Sequence, residues 1–241
     1  MTELDKVKML IKESENVVFF GGAGVSTASG IPDFRGTGGL YNVEIAYGAP
    51  PEEILSNHYL YDNPEGFYRY YRENMIYQYA APNKAHVALA ELERRGKLSA
   101  IITQNIDGLH QAAGSDNVIE LHGSIHRNYC TECGREYTLD DILDTDGAPT
   151  CAFCGSLVRP DVTLYGEALD ASAFYAAEQA CIDAEVLVVG GTSLTVNPAA
   201  SLVGMYRGEH LIIINKSPTP YDAYAEFIIR EPIEDVLSYI I

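Results

Sequence analysis

Short apolar runs that end in glycine or in a polar cluster alternate along this chain with stretches of helical periodicity. Leu4–Lys12 carries apolar residues at helical spacing. Asn16-Val17-Val18-Phe19-Phe20 follows, a continuous apolar run closed by glycines, and is predicted to be a strand buried on both faces. The same pattern predicts strands at Leu98–Ile102, Val118–Leu121, Val162–Leu164, Val186–Val189 and Leu211–Asn215. Helices are predicted at Pro64–Tyr79, Gly108–Ala113, Ala171–Ile182, Pro198–Met205 and Ile233–Tyr239. Another covers Ala85–Arg95, with Asn83 as its cap and Gly96 as its stop. Thr37–Tyr61 is rich in Gly, Pro and Tyr, lacks a period, and is expected to be a long irregular excursion. Between His126 and Arg159 the apolar density falls and turn residues gather, which marks an insertion.

Apolar strands alternating with helices predict an α/β fold, a Rossmann-like, doubly wound parallel sheet. Residues 1–36, 84–124 and 161–241 are assigned to that nucleotide-binding unit, and residues 37–83 and 125–160 to a smaller helical and zinc-ribbon subdomain. In such sheets ligands bind beyond the carboxyl ends of the strands. The polar clusters fall there: Gly21–Ser26 after one strand, Gln104–Asp107 after the next, Gly191–Ser193 after a third, and Asn215-Lys216 after a fourth.

Composition narrows the picture. With 241 residues and 47% hydrophobic content, the chain can bury a full core. No stretch approaches ~20 apolar residues, and the charged N-terminus lacks an apolar signal core, so a cytoplasmic protein without membrane attachment is expected. The net charge of -18 repels a phosphate backbone, which disfavours direct nucleic-acid binding, and attracts cationic peptides. Solubility alone is also a sufficient reason for such acidity.

Several residue groups carry candidate chemistry. The turn Gly22-Ala23-Gly24-Val25-Ser26 lets backbone amides approach a pyrophosphate, although Thr27 stands where a full dinucleotide fingerprint has its third glycine. A simple tight turn would look similar. Asp33-Phe34-Arg35 on the next loop could cover a ligand ring and a phosphate, or be a surface turn with a buried Phe. Gln104, Asn105 and Asp107, packed at one strand end, could hydrogen-bond a carboxamide, ribose hydroxyls and a water, or Asn105 or Asp107 could form an Asx turn that starts the next helix. His122 ends another strand and is suited to act as a general base near neutral pH, although a lone histidine is more often structural. His86 lies on an apolar helix face and is expected in the core. The cysteines Cys130, Cys133, Cys151 and Cys154 have the spacing Cys-x2-Cys-x17-Cys-x2-Cys, and Gly134 and Gly155 follow the two pairs. That pattern predicts one tetrahedral zinc with no open position, hence a structural one, contributing roughly 10–16 kcal/mol to the order of the insertion. Cys181 is left over and is expected to be a small buried residue.

Taken in order, GAGVSTASGIPDFRG (Gly22–Gly36), TQNIDGLH (Thr103–His110), ELHGS (Glu120–Ser124), the four cysteines, YGE (Tyr165–Glu167), GTSLTVNP (Gly191–Pro198) and Ile214-Asn215 resemble the sirtuin family, the NAD-dependent protein lysine deacylases, in its bacterial and archaeal form. The resemblance covers almost the whole chain. It implies NAD as co-substrate and an acetyl-lysine protein or peptide as partner. It implies that Gly22, Ala23, Gly24, Ser26, Thr27, Asp33, Phe34 and Arg35 line the NAD loop, with Phe34 shielding the reactive ribose. Gln104 and Asn105 would contact the nicotinamide ribose, and Ile106 and Asp107 the carboxamide. Gly191, Thr192, Ser193, Asn215, Lys216 and Ile233 would bind the adenosine half. Gly166-Glu167 and Val196-Asn197 would sandwich the peptide as an added strand, with Val162 at the acyl-lysine tunnel. The implied reaction starts with attack of the acyl oxygen on the anomeric carbon and loss of nicotinamide. With Asn105 assisting, a ribose hydroxyl deprotonated by His122 then attacks the imidate, and water completes transfer to O-acetyl-ADP-ribose.

Two departures stand out. Tyr165 occupies a place where the family usually has Phe. Members that prefer acidic acyl groups carry Tyr-x-x-Arg, whereas this chain has Tyr68-x-x-Tyr71, with Arg72 about 100° further round the helix. Deacetylation is therefore expected over desuccinylation. Other readings are mono-ADP-ribosyl transfer by the same bond cleavage, a preference for longer acyl chains, a hydride-transferring dehydrogenase, and a nucleic-acid-binding zinc ribbon that the acidity opposes.

Overall fold

The computed structural model describes residues 2–33 and 47–241. In chain order its strands are β1 (Val17–Gly21), β2 (Leu98–Thr103), β3 (Val118–Glu120), β4 (Gly123–Cys130), β5 (Glu136–Tyr137), β6 (Val158–Val162), β7 (Val186–Gly190), β8 (His210–Ile214) and β9 (Phe227–Ile229). The helices are α1 (Glu3–Glu13), α2 (Pro51–Ile54), α3 (Asn57–Asp62), α4 (Pro64–Asn74), α5 (Lys84–Arg94), α6 (Leu109–Ala112), α7 (Leu139–Leu143), α8 (Ala171–Asp183) and α9 (Ile233–Ile240).

Six strands form one sheet in the order β3-β2-β1-β7-β8-β9, and every pair in it is parallel. The central strands β1 and β7 are apolar and buried at every position because both faces are covered, and polar residues stand only at Ser99, Thr103, Glu120 and His210 of their neighbours. In β1, Val17 and Phe19 join one core with α1, α5 and α9, while Val18 and Phe20 join the opposite core with α8. Both phenylalanines are fully buried, and truncating either to alanine should cost about 3–5 kcal/mol. The chain turns outward in both directions from β1, to β2 on one side and to β7 on the other. That reversal opens a crevice at the carboxyl ends of β1 and β7, where this architecture places its ligands.

The smaller part is built on a three-stranded antiparallel sheet, β5-β4-β6. Its core joins it to the helical segment: Phe67, Tyr68 and Tyr71 of α4 pack in one cluster with Ile142, Val158, Cys130 and Cys151. The rings of Phe67 and Tyr71 stack at 5.5 Å. Arg72 adds polar ties, donating to the carbonyls of Ile142 and Gly147.

Several expected elements shift. The strand expected at Val162–Leu164 lies at Val158–Val162 and pairs antiparallel with β4; Pro160 is tolerated because β6 is an edge strand. The helix expected to reach Tyr79 stops at Asn74. The stretch Ala199–Met205 and the turn after β1 are 3-10 rather than α-helical. The part of Thr37–Tyr61 that is described holds two short helices, α2 and α3. Strand β9 has no sequence signal, because three residues on a sheet edge leave no period to read.

Candidate active site

Gly21 and Gly190 end neighbouring strands in register, and the loops that follow them touch. Gly24 N donates to Gly191 O at 2.8 Å. A Cβ on Gly24 would stand 2.8 Å from the Gly191 Cα, and Gly191 itself has a φ of +61. These glycines are thus required by the close approach of two backbones, whatever ligand they also admit. The turn they form carries no α-helical N-terminus. It is two successive 3-10 turns, Ala23–Val25 and Thr27–Ser29.

From this floor rises a cleft of ≈ 1490 Å³. It is lined by Gly22, Ala23, Gly24, Ser26, Thr27 and Asp33 from the first loop, by Gln104, Asn105, Ile106, Asp107 and His122, and by Gly191, Thr192, Ser193, Asn215, Lys216 and Ile233 from the far strands. Val162, Gly166, Glu167, Val196 and Asn197 line it too. Every described residue expected at a nucleotide or peptide site therefore borders one cavity; Phe34 and Arg35 lie outside the described residues. Tyr71, Asn74 and Met75 at the end of α4 also line it, as do Leu55 and Tyr165. Leu55 and Met75 carried no polar or motif signal, so nothing in the sequence singled them out.

Polar side chains in the cleft are cross-tied. The fully buried Ser26 donates from Oγ to Asp107 Oδ2 at 2.6 Å and accepts from Asn105 Nδ2 at 3.1 Å, which fixes both residues through one hydroxyl. The other Asp107 oxygen accepts from Leu109 N at 2.9 Å, as an Asx turn starting α6 would. Gln104 Nε2 donates to Thr192 Oγ1 at 3.0 Å across the crevice.

His122 stands where β3 leaves the large sheet and β4 opens the small one. The next residue has to be glycine: Gly123 has a φ of +76, and a Cβ there would stand 1.9 Å from Asp161 O. His122 Nδ1 lies 2.8 Å from Gln104 O. A carbonyl only accepts, so Nδ1 carries the proton and Nε2 is left with its lone pair. Burial lowers the His122 pKa below its ordinary value, and the bond to Gln104 opposes that shift only in part. The imidazole is therefore neutral at pH 7 and available as a base.

Away from the cleft, the sulfurs of Cys130, Cys133, Cys151 and Cys154 all lie within 4.8 Å of one another. Two of the pairs are 3.3 and 3.6 Å apart. Four thiolates around a tetrahedral zinc at ~2.3 Å stand about 3.8 Å apart, so the donor set and its spacing fit that ion. Gly134 and Gly155 take left-handed conformations and donate back to Cys130 O and Cys151 O, making two matching knuckles. Tyr137 donates its hydroxyl to Cys151 Sγ at 3.2 Å.

A doubly wound parallel sheet, a glycine-floored cleft at its reversal point with a neutral imidazole on the wall, and a four-cysteine knuckle in an appended sheet define a nucleotide-using class of enzyme with a structural metal. Comparison with known proteins narrows the class: the model of the Sir2 family matches residues 22–198, and the chain belongs to that family. It is 49% identical over 242 residues to an NAD-dependent protein deacetylase of Clostridium acetobutylicum, covering 100% of this chain and 99% of that one. It is 52% identical over 236 residues to the one of Clostridium tetani, covering 98% and 96%. Among solved structures, a Sir2 variant with deacetylated p53 peptide and 3′-O-acetyl ADP ribose superimposes with a TM-score of 0.91 at 38% identity, covering 99% of this chain and 97% of that one. Sir2 with a p53 peptide and NAD+ gives a TM-score of 0.87 at 38% identity, covering 98% and 96%.

Proposed function

We infer that the chain is an NAD-dependent protein-lysine deacetylase that transfers the acetyl group of acetyl-lysine to ADP-ribose. The observation that carries this reading is the tautomer of His122, anchored by Gln104 O and lining the same cleft as Ser26, Asn105 and Asp107. NAD supplies an anomeric carbon whose bond to nicotinamide breaks as the acetyl oxygen bonds to it. The rest is the work of the chain. Asp107 and Ile106 hold the carboxamide end, with Asp107 fixed by Ser26. Asn105 and Gln104 orient the ribose. His122 takes the proton of a ribose hydroxyl at Nε2. The loops bearing Gly22–Thr27, Gly191–Ser193 and Asn215-Lys216, with Ile233, hold the adenosine half. With water, the products are free lysine, nicotinamide and O-acetyl-ADP-ribose.

In this reading, Gly166-Glu167 and Val196-Asn197 receive the substrate peptide on the two sides of the cleft, and Val162 borders the acyl group. The four cysteines hold one zinc, which cross-links the small sheet and takes no part in the reaction. Residues 1–36, 84–124 and 161–241 form the nucleotide-binding unit and residues 37–83 and 125–160 the smaller one, with the β4–β6 pair as the seam. We place the chain in the cytoplasm without nucleic-acid or membrane partners; the net charge of -18 opposes binding to a phosphate backbone. Among the described residues, no helix is long and apolar enough to cross a membrane.

Mass spectrometry of an acetyl-lysine peptide incubated with the protein and NAD tests the reading. Deacetylated peptide, nicotinamide and O-acetyl-ADP-ribose in equal amounts are expected. ADP-ribosylated protein without deacetylation would make it an ADP-ribosyltransferase, and growth of the reduced-nicotinamide absorbance a dehydrogenase.

A further inference from the structure

Glu167 borders the cleft, yet its carboxylate is saturated by the protein itself. It accepts from Arg159 through both oxygens, Nη1 to Oε1 at 2.5 Å and Nη2 to Oε2 at 2.9 Å. It also accepts from Leu164 N at 2.8 Å and from Asn57 Nδ2 at 2.6 Å. Arg159 is only 8% exposed. Its guanidinium reaches Val162 O and Pro160 O as well, and lies over the ring of Tyr129. A planar fork that meets a carboxylate through two parallel bonds fixes orientation as well as distance. A buried pair of this kind is weak evidence for stability but good evidence for a fixed geometry.

That geometry sits on one particular segment. Tyr165 is already paired along one edge: its N–H donates to Leu55 O, its carbonyl accepts from Asn57 N, both at 3.0 Å, and it bridges Ser56 in parallel. Tyr165, Gly166 and Glu167 all border the cleft. Tyr165 thus makes a single bridge to the start of α3, and the chain turns directly after it: Glu167 N donates to Leu164 O at 3.0 Å and Gly166 has a φ of +88. Arg159 on β6 and Asn57 on α3 meet at the Glu167 carboxylate and form a brace that pins the far end of this turn. Neither Arg159 nor Asn57 borders the nucleotide loops after β1, β2, β7 and β8.

We propose that Arg159 is a positioning residue for the peptide substrate: through the Glu167 carboxylate, and together with Asn57, it holds the Tyr165–Glu167 turn in the position that accepts the peptide. The proposal rests on the deacetylase reading. A corollary is that Glu167, with its oxygens occupied by the brace, does not pair with basic side chains of the substrate.

Steady-state kinetics with an acetyl-lysine peptide, and fluorescence anisotropy of the same labelled peptide, test it on the full zinc-loaded chain. Arg159→Met should raise the peptide KM and Kd about tenfold or more, with Arg159→Lys in between, while the KM for NAD and kcat stay within about twofold. Asn57→Ala should raise the peptide KM about threefold with the same selectivity. Glu167→Gln added to Arg159→Met should add little, because both act through one contact. A peptide KM unchanged in Arg159→Met and Asn57→Ala, or an equal rise in the NAD KM, overturns the proposal. Should Arg159→Met fail to fold, Asn57→Ala decides alone by the same split. A wild-type protein that turns over the peptide while the variants show no split sinks this inference only. A wild-type protein that neither binds nor deacetylates the peptide sinks the functional reading and the brace with it.

Discussion

The imidazole of His122 shows how one backbone carbonyl sets a chemical role. With Nδ1–H donated to Gln104 O, only Nε2 can take a proton. Burial holds the ring's pKa below its ordinary 6.5. The sign follows directly: the base is competent above its pKa and is lost as pH falls through it. The acid limb of kcat against pH should therefore have its midpoint below 6.5, and a midpoint above that value would contradict the burial argument. His122→Ala should lower deacetylation by at least ~10²-fold, the usual share of a general base. NAD binding, measured calorimetrically, should change only a few-fold, because the ring anchors no part of the dinucleotide. Tyr71 supports a second prediction at this scale. Its hydroxyl is buried with no hydrogen-bond partner among the described residues, and Tyr68 donates to Val158 O. Arg72, the nearby cation, points at the Ile142 and Gly147 carbonyls. Arg69, the other cation of α4, lies over the Tyr47 ring, and neither arginine borders the cleft, so α4 offers no positive charge to an acyl carboxylate there. Lysine acetyl groups should be removed at least tenfold faster than succinyl groups, as read by kcat/KM on matched peptides.

Elements buried on both faces were the legible ones. β1 and β7 are continuous apolar runs, and β2 and β8 nearly so, because helices cover each side of the sheet, and their polar ends mark the cleft. Helix α5 announced both ends, with Asn83 capping and Gly96 following. The small sheet was not legible: β5 has two residues, β6 contains Pro160, and their partners are set by the cysteine knuckles rather than by a period. The brace of Arg159, Glu167 and Asn57 carries no local sequence signal either. Its members lie 8 and 110 residues apart and meet only when α3 and β6 come together. The knuckle and α4 share one core, with Cys130 and Cys151 packed among Tyr68 and Tyr71. Removal of the metal should therefore loosen more than the loop that binds it. Cys130→Ser, or treatment with a strong chelator, should lower the melting temperature by about 10 °C or more and reduce activity in parallel. Zinc content by elemental analysis and near-ultraviolet dichroism of the buried tyrosines are the measurements; full zinc with one cysteine removed would refute the four-ligand assignment.

Across the whole molecule, acid should unfold this protein earlier than its carboxylates alone would. His86 and His110 are both essentially buried, with rings 4.8 Å apart, where α5 and α6 pack on the main sheet. His86 Nδ1 accepts from Asn83 N and so serves as a cap, but His86 Nε2 and both nitrogens of His110 have no partner among the described residues. Burial pushes the His110 pKa down to about 3, with His86 adding to the shift. Burial lowers His86 as well, against the pull of Asp107. Both stay neutral in the folded chain at pH values where the unfolded chain protonates them. Their folded pKa values are depressed, so their contribution to stability is complete above ~6.5 and declines as pH falls below it. Each histidine costs up to about 1.4 kcal/mol per pH unit in that window. The net charge of -18 works in the other direction, since partial neutralisation relieves self-repulsion, but added salt screens that effect and leaves the buried rings untouched. With the buried His122 adding a third contribution of the same sign, urea unfolding at high salt should thus give a stability that is flat from pH 8 to 7 and falls by roughly 3–4 kcal/mol per unit below pH 6. His110→Gln should remove about a third of that slope. A profile that stays flat to pH 5 in the wild-type chain would mean that the two rings find a proton-accepting partner in the folded state, and that their burial does not govern acid stability.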